Sequence, residues 1–429
     1  MRHGMAATAL IAAITLTATA CGGGTDGGGK GSDGKISGTV TYWDTSNEAE
    51  KGTYEQLALG FQKKYPGVKV NYVNVPFGEA LAKFKNAAGS GGSGAPDVLR
   101  AEVAWTQDLA NIGYLAKLDG TTALADQSDY LPKAAAGTKF KGATYGVPQV
   151  IDTLGLFYNK KMLKEAGVAP PTSWAGLKAA AKKIKQKTGK TGLYLRGDDA
   201  YWYLPFLYGE GGDLLDTGKK RITVDDAPGV KAFAAARDLV ASGAAETDAT
   251  DGWDTMQHAI KNGDVAMTLN GPWAIEDTLA GKAFADKSNP GTSNLGVVPV
   301  PAGGGGQGAP QGGHNLTVYA GSGNLDASYA FARYMSSAEV QAKTTEKLSL
   351  LPTRASVYRN EAVAANPNVK FFKAAVDKAV ERPWIPEGNS LFQAVLVQFP
   401  NVLGGRTSPK EAATAVGEAY RKLLKGDWK

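Results

Sequence analysis

Four short stretches of the 429-residue chain set aromatic rings beside charged or amide side chains: Trp43-Asp44, Asp199-Ala200-Tyr201-Trp202-Tyr203, Asn270-Gly271-Pro272-Trp273 and Arg382-Pro383-Trp384-Ile385-Pro386-Glu387-Gly388-Asn389. Any one of these rings, taken alone, is as readily a core residue. Together they suit a sugar. A pyranose has apolar C–H faces that stack on indole, phenol or phenyl rings, and a rim of hydroxyls that carboxylates, amides and guanidinium groups hydrogen-bond in fixed directions.

Other chemistries find few residues. A single cysteine, Cys21, excludes an intramolecular disulfide, a Cys-based zinc site and an iron–sulfur cluster. Of the three histidines, His3 lies in the leader described below, His258 sits in an amphipathic pattern that reads as surface or packing, and His314 follows a Gly-rich bend from which it could line a cleft. The spacings Gly89-x-Gly91-x-x-Gly94 and Gly303-x-Gly305-x-x-Gly308 fit a dinucleotide fingerprint, but Ala95-Pro96 and Ala309-Pro310 follow where a helix should begin, so both read as loops. The P-loop, His-Glu-x-x-His and Gly-x-Ser-x-Gly patterns are missing, and neither metal nor cofactor is expected. With 47 basic against 41 acidic residues interspersed and a net charge of +6, the chain lacks the basic stripe that nucleic acid requires. Two of Asp152, Asp199, Glu48 and Glu387 could act as acid and nucleophile or base of a glycoside hydrolase. Carboxylates serve equally as hydroxyl acceptors of a non-catalytic receptor, so these residues alone carry either reading.

The elements that would carry these residues follow from periodicity. Hydrophobic residues at 43% and charged residues at 21% describe a folded globular protein, and the length calls for more than one core. Ile36 to Trp43 alternates as a strand, Glu48 to Tyr65 places Leu57, Ala58, Phe61 and Tyr65 on one helical face, and Val68 to Val75 alternates again. A helix over Glu79 to Ala88 and a strand at Pro96 to Leu99 complete a series that predicts helices on a mostly parallel sheet. Gly142 to Tyr158 reads as strands crossing between lobes. Thr172 or Ser173 caps a helix from Trp174 to about Lys187 that buries Leu177, Ala181 and Ile184. Val230 to Ala241, Asp254 to Lys261 and Ala327 to Ser336 are helical, Val265 to Leu269 is a strand, and Ala302 to Gly313 is a Gly/Pro-rich loop or bend.

At the N-terminus, Arg2 and His3 precede an uncharged stretch, Ala6 to Thr19, too short to span a bilayer. Ala18-Thr19-Ala20-Cys21 resembles a bacterial lipobox, with Ala18 where that pattern usually has Leu. Eight glycines between Gly22 and Gly34 then make a flexible tether. Residues 1–20 are read as a signal peptide, Cys21 as the lipidated first residue, and 21–35 as the tether.

Tyr158-Asn159-Lys160-Lys161-Met162-Leu163, Pro171-Thr172-Ser173-Trp174, the run from Gly263 through Asn270-Gly271-Pro272-Trp273-Ala274, and Ile385-Pro386 carry a resemblance to the extracellular solute-binding proteins of ABC sugar importers, family 1, among the maltose and maltodextrin-binding lipoproteins. The resemblance covers nearly all of 36–429. It implies an α/β, two-lobe periplasmic-binding-protein-like fold (type II), hinged about a ligand cleft, with lobe 1 from 36–150 and 314–362 and lobe 2 from 151–311 and 366–429. It implies sugar contacts at Asp152, Asp199, Tyr201 and Trp273, with Phe392 replacing a second stacking tryptophan, Asn47 and Glu48 in the first loop, and Arg100, Glu102 and Trp105 after Pro96-Asp97, where this chain departs from the best-known pattern. Glu387 is added from the last aromatic cluster. The implied partners are a malto-oligosaccharide or related sugar (trehalose, cellobiose or a xylo-oligosaccharide as alternatives) and the permease subunits, the protein acting as a membrane-anchored monomer. Cys21→Ser should release the protein from the membrane in a fractionation experiment. Retention equal to wild type would remove the lipid anchor.

Overall fold

The computed structural model describes residues 36–284 and 293–429. The expected signal peptide, the tether and Cys21 lie outside the described residues. The strands of the two larger sheets are β1 (Gly38–Asp44), β2 (Val68–Asn74), β3 (Val98–Glu102), β4 (Val147–Asp152), β5 (Gly155–Asn159), β6 (Thr191–Tyr194), β7 (Ala245–Glu246), β8 (Val265–Asn270), β9 (Leu295–Pro299), β10 (Gly312–Val318) and β11 (Leu351–Pro352). A six-stranded sheet runs β11-β4-β10-β3-β1-β2, and a five-stranded sheet runs β7-β6-β8-β5-β9. Each has a parallel centre and an antiparallel strand entering from the crossing segments: β10 pairs antiparallel to β3 and β4, and β5 antiparallel to β8 and β9.

Alternation in the sequence becomes two faces of the first sheet. Val40, Tyr42, Val70, Val98 and Leu316 face one core, with Ala58 and Phe61 of the helix Glu48–Lys64 beneath them. Leu99 and Ala101 point the other way, onto Phe84, Trp105 and Leu109. On the first helix the buried row is Glu50, Tyr54, Ala58 and Phe61, so Leu57 and Tyr65 sit at the flank of the core face instead of on it. In the second lobe the helix Trp174–Thr188 buries Leu177, Ala181 and Ile184 as its spacing requires, and Ser173 is the cap, its Oγ accepting from the Gly176 N–H at 3.1 Å. The C-terminal helices Gly388–Leu403 and Pro409–Leu423 pack on Ala227–Ala241 in the same core.

The chain passes between the sheets at Thr153-Leu154 and again between Pro299 and Gly312. Ile151 and Asp152 pair with Gly313 and Gly312, which carries the first sheet two residues past position 150 and into what the sequence suggested was a bend. A further core, with Ile151, Phe157, Ile275, Leu351, Phe372 and Val376, holds residues of both sheets where the chain crosses. One close contact locks the second lobe: a Cβ on Gly192 of β6 would overlap the backbone of Ala181, so the helix can seat on the strand only over a glycine. Gly192→Ala should cost roughly 1–3 kcal/mol of stability in a denaturant titration, the range of overpacked cores. An unchanged midpoint would show that the helix does not bear on that strand.

Candidate functional site

In open α/β sheets ligands bind outside the carboxyl ends of the parallel strands. Here both sheets turn those ends toward one cavity of about 1670 Å³. From the first lobe come the residues after β1 (Ser46, Asn47), the end of β3 (Arg100, Glu102), the end of β4 (Asp152) and the start of β10 (His314). From the second come those after β6 (Arg196, Asp199, Tyr201) and after β8 (Trp273).

Nine of the ten expected ligand-binding residues line this cavity, namely Asn47, Glu48, Glu102, Trp105, Asp152, Asp199, Tyr201, Trp273 and Phe392. Glu387 is not among the lining residues. It stands at the N-cap position of the helix Gly388–Leu403, whose first turns bring Asn389 and Phe392 to the cavity instead. Glu48 is at the rim, with a side chain 84% exposed and paired with Lys51 at 2.6 Å. Asn47 is committed locally, because its Oδ1 caps the first helix while its Nδ2 donates to the Trp273 carbonyl across the cleft at 3.1 Å.

Two aromatic groups furnish the walls. In the second lobe the Tyr201 and Trp273 rings lie 6.3 Å apart, and the Tyr201 hydroxyl donates to the Pro310 carbonyl at 3.0 Å. Trp202 points into the core, its Nε1–H donating to the Leu269 carbonyl at 2.8 Å. In the first lobe Trp105 is buried beneath Phe77, which is 47% exposed and stacks on it at 5.2 Å, so the face offered to the cavity is a phenyl the sequence did not single out. Phe77 opens a helix just after Pro76, and an exposed ring at that position is the signal that could have revealed it.

Charge is arranged around three guanidinium groups. Arg382 pairs with Glu102 and donates through Nε to the Gln311 carbonyl at 2.9 Å. Arg196 pairs with Asp198 at 2.7 Å and Asp199 at 3.4 Å, while Asp199 also accepts from the Tyr201 N–H at 2.9 Å. Arg100 lies 3.8 Å from Asp44 and donates to Gln149 at 3.0 Å. Arg196 and Asp198 carried no motif, and only the fold brings them to the wall. Asp152 is 7% exposed and its carboxylate makes no hydrogen bond or ion pair among the described residues. Burial first, and the nearby Glu102 charge second, push it up to about 7. Burial also raises Asp199, against the pull of Arg196. The cavity therefore combines ring faces with fixed acceptors and donors, which can hold a polyhydroxylated ring from both sides. Among the described residues no group of three His, Cys, Asp or Glu could hold a metal ion, and no helix is long and apolar enough to cross a membrane.

A two-lobe α/β periplasmic-binding-protein fold with its cleft at the strand ends defines a binding protein, and the comparisons agree. Residues 56–371 match the bacterial extracellular solute-binding proteins, and the chain belongs to that family. The GacH receptor of Streptomyces glaucescens GLA.O, whose crystal structures are unliganded and in complex with acarbose and an acarbose homolog, is 67% identical with a TM-score of 0.89, over 92% of this chain and 100% of that one. The diacetylchitobiose binding protein DasA of Streptomyces coelicolor is 24% identical over 99% of both chains. A maltotriose-binding protein of Pyrococcus abyssi is also 24% identical, over 88% of this chain and 79% of its own.

Because Asp152 is raised in the folded state, the native protein holds its proton at pH values where the unfolded chain has released it. That contribution to stability is complete below about pH 4 and is lost as pH rises through 7. Relative to Asp152→Asn, the sugar-free wild type should lose on the order of 2 kcal/mol between pH 5 and 8. Parallel pH profiles of the thermal midpoint for the two proteins would contradict this.

Proposed function

We propose that the protein is the sugar receptor of an ABC importer, capturing malto-oligosaccharides between its lobes and delivering them to permease subunits as a monomer anchored through Cys21 at the outer face of the membrane. The observation that carries this reading is the pairing of ring faces with half-buried carboxylates on both walls of one cavity: Phe77 over Trp105 with Glu102 on one side, and Tyr201 with Trp273 and Asp199 on the other. Rings bind the apolar faces of the sugar, and carboxylates and guanidinium groups set its orientation by hydroxyl. The similarity to a receptor solved with acarbose, a pseudo-oligosaccharide, supports the same ligand class. A sugar touching both walls gains all its contacts only when the lobes close on it, and its differential affinity for that state sets the shift.

Calorimetry against maltose, maltotriose, trehalose, cellobiose, a xylo-oligosaccharide and diacetylchitobiose tests the assignment. The maltose series should bind best, and no glucose should appear on incubation with maltotriose. Trp273→Ala should weaken maltotriose binding by roughly 2–4 kcal/mol, as for a buried aromatic anchor. Trp202→Ala should instead cost roughly 3–5 kcal/mol of fold stability, as for a core ring. Undiminished affinity in Trp273→Ala would take the indole out of the site, and glucose release by the purified protein would turn the reading toward a hydrolase.

A further inference from the structure

Two polar side chains on the first lobe's wall of the cavity await a partner. Glu50 is 3% exposed, it lines the cavity, and its Oε1 meets no hydrogen-bond donor among the described residues. His314 lines the same wall, and neither Nδ1 nor Nε2 has a partner although both atoms are shielded from solvent. Native proteins leave few buried polar atoms unsatisfied, since each has given up its bonds to water without replacement. Two such side chains in one cavity are what a ligand's hydrogen bonds would resolve.

The backbone aims both groups there. Gly313 has φ 135°, where a side chain is strained, and a Cβ would overlap the Val150 carbonyl oxygen, so β10 passes this point only as glycine. Its pairing with β4 then shifts register between His314 and Asn315, a bulge of the kind that redirects side chains beside binding sites. The imidazole comes to rest edge-on to Phe77, with 6.0 Å between ring centres. Burial and the Arg100 and Arg382 charges hold it well below the usual histidine range, hence neutral, with one donor and one acceptor. Glu50 is placed by the first turn of the helix Glu48–Lys64, where its N–H donates to the Asn47 cap at 3.1 Å. This turn carries Glu48 out to the rim and Glu50 in to the wall.

We infer that Glu50 and His314 are specificity-determining residues, reading hydroxyls of the sugar ring that seats against the first lobe. Glu50 accepts from one hydroxyl, and His314 offers a donor and an acceptor to another. The inference rests on the sugar-receptor reading above and names the groups that discriminate within it. A wall built to hydrogen-bond hydroxyls rejects a ring lacking them far more strongly than an apolar wall would, because the buried groups are then left unpaired.

The test uses the full mature chain and maltotriose as probe, comparing wild type, Glu50→Gln and His314→Phe by calorimetry, each with its thermal midpoint in the absence of sugar. Affinity should fall about tenfold or more in each variant, since a charge-assisted acceptor or a donor–acceptor pair is lost. The sugar-free midpoint should stay level or rise, because an unpartnered buried group has been neutralised or removed. Affinities within twofold of wild type in both variants would overturn the assignment while leaving the receptor reading intact. So would a loss of affinity that tracks a fallen midpoint in both, which would make the two residues supports of the fold. A wild type that binds no sugar of the panel overturns both readings.

Discussion

The cavity is arranged around the guanidinium of Arg382. This group is buried, pairs with Glu102 at the end of β3, donates to the Gln311 carbonyl on the crossing segment, and lies 5.5 Å from the Tyr201 ring and 5.4 Å from the Phe392 ring. A guanidinium removed from water is tolerated only when its donors are met and its faces are covered. Those demands draw together three segments far apart in the sequence, and the rings that cover the charge are thereby held where a sugar could use their other side. Rigid placement of this kind matters more to a binding site than the energy of the ion pair itself.

The same device recurs on both walls. Arg100 lies over the Tyr54 ring at 4.8 Å, and Arg196 over Trp202 at 4.4 Å and Trp253 at 5.5 Å, each with a carboxylate beside it. Guanidinium, ring and acid form a repeated unit in which cation–π contact and charge pairing share the cost of burial. Asp152 and Glu50 fall outside these units. Both are pushed up to about 7 by burial, although Arg100 pulls against it. Carboxyl groups left so poorly compensated lower the stability of the empty protein, a familiar feature of sites kept ready for a ligand.

How much of this was legible in the chain depends on the range of the interaction. Helix and strand positions follow from apolar spacing, which is local, and Ser173, Leu177, Ala181 and Ile184 fall where the pattern puts them. The polar, turn-rich stretches that carry Tyr201 and Trp273 were legible as well, but which ring faces the cavity was not, since Trp202 and Tyr203 beside Tyr201 are buried in the core. The choice between Glu48 and Glu50 was not, since it depends on how the first helix is rotated about its axis, and Tyr54 in place of Leu57 on the inner row fixes that rotation. Glu387 and Arg382 were exchanged in importance for a related reason. Both flank the same tryptophan, and only the partner on β3, 280 residues away, decides which one faces the cavity.

Such dependence on distant partners also bears on how two lobes can act as one receptor. The core shared by Ile151, Phe157, Leu351 and Phe372 packs the crossing strands together, apart from the main core of either lobe. Several polar links join the lobes: Arg382 pairs with Glu102, Asn47 donates to the Trp273 carbonyl at 3.1 Å, Ser349 donates to Glu276 at 3.0 Å, and Lys133 donates to the Ala379 carbonyl at 2.7 Å. Each neutral link is worth only about 0.5–1.5 kcal/mol net, and the attraction within the buried ion pair is largely offset by its desolvation. On the receptor reading proposed above, a ligand bonded to both walls adds several such contacts at once and so favours the arrangement in which the lobes close on it.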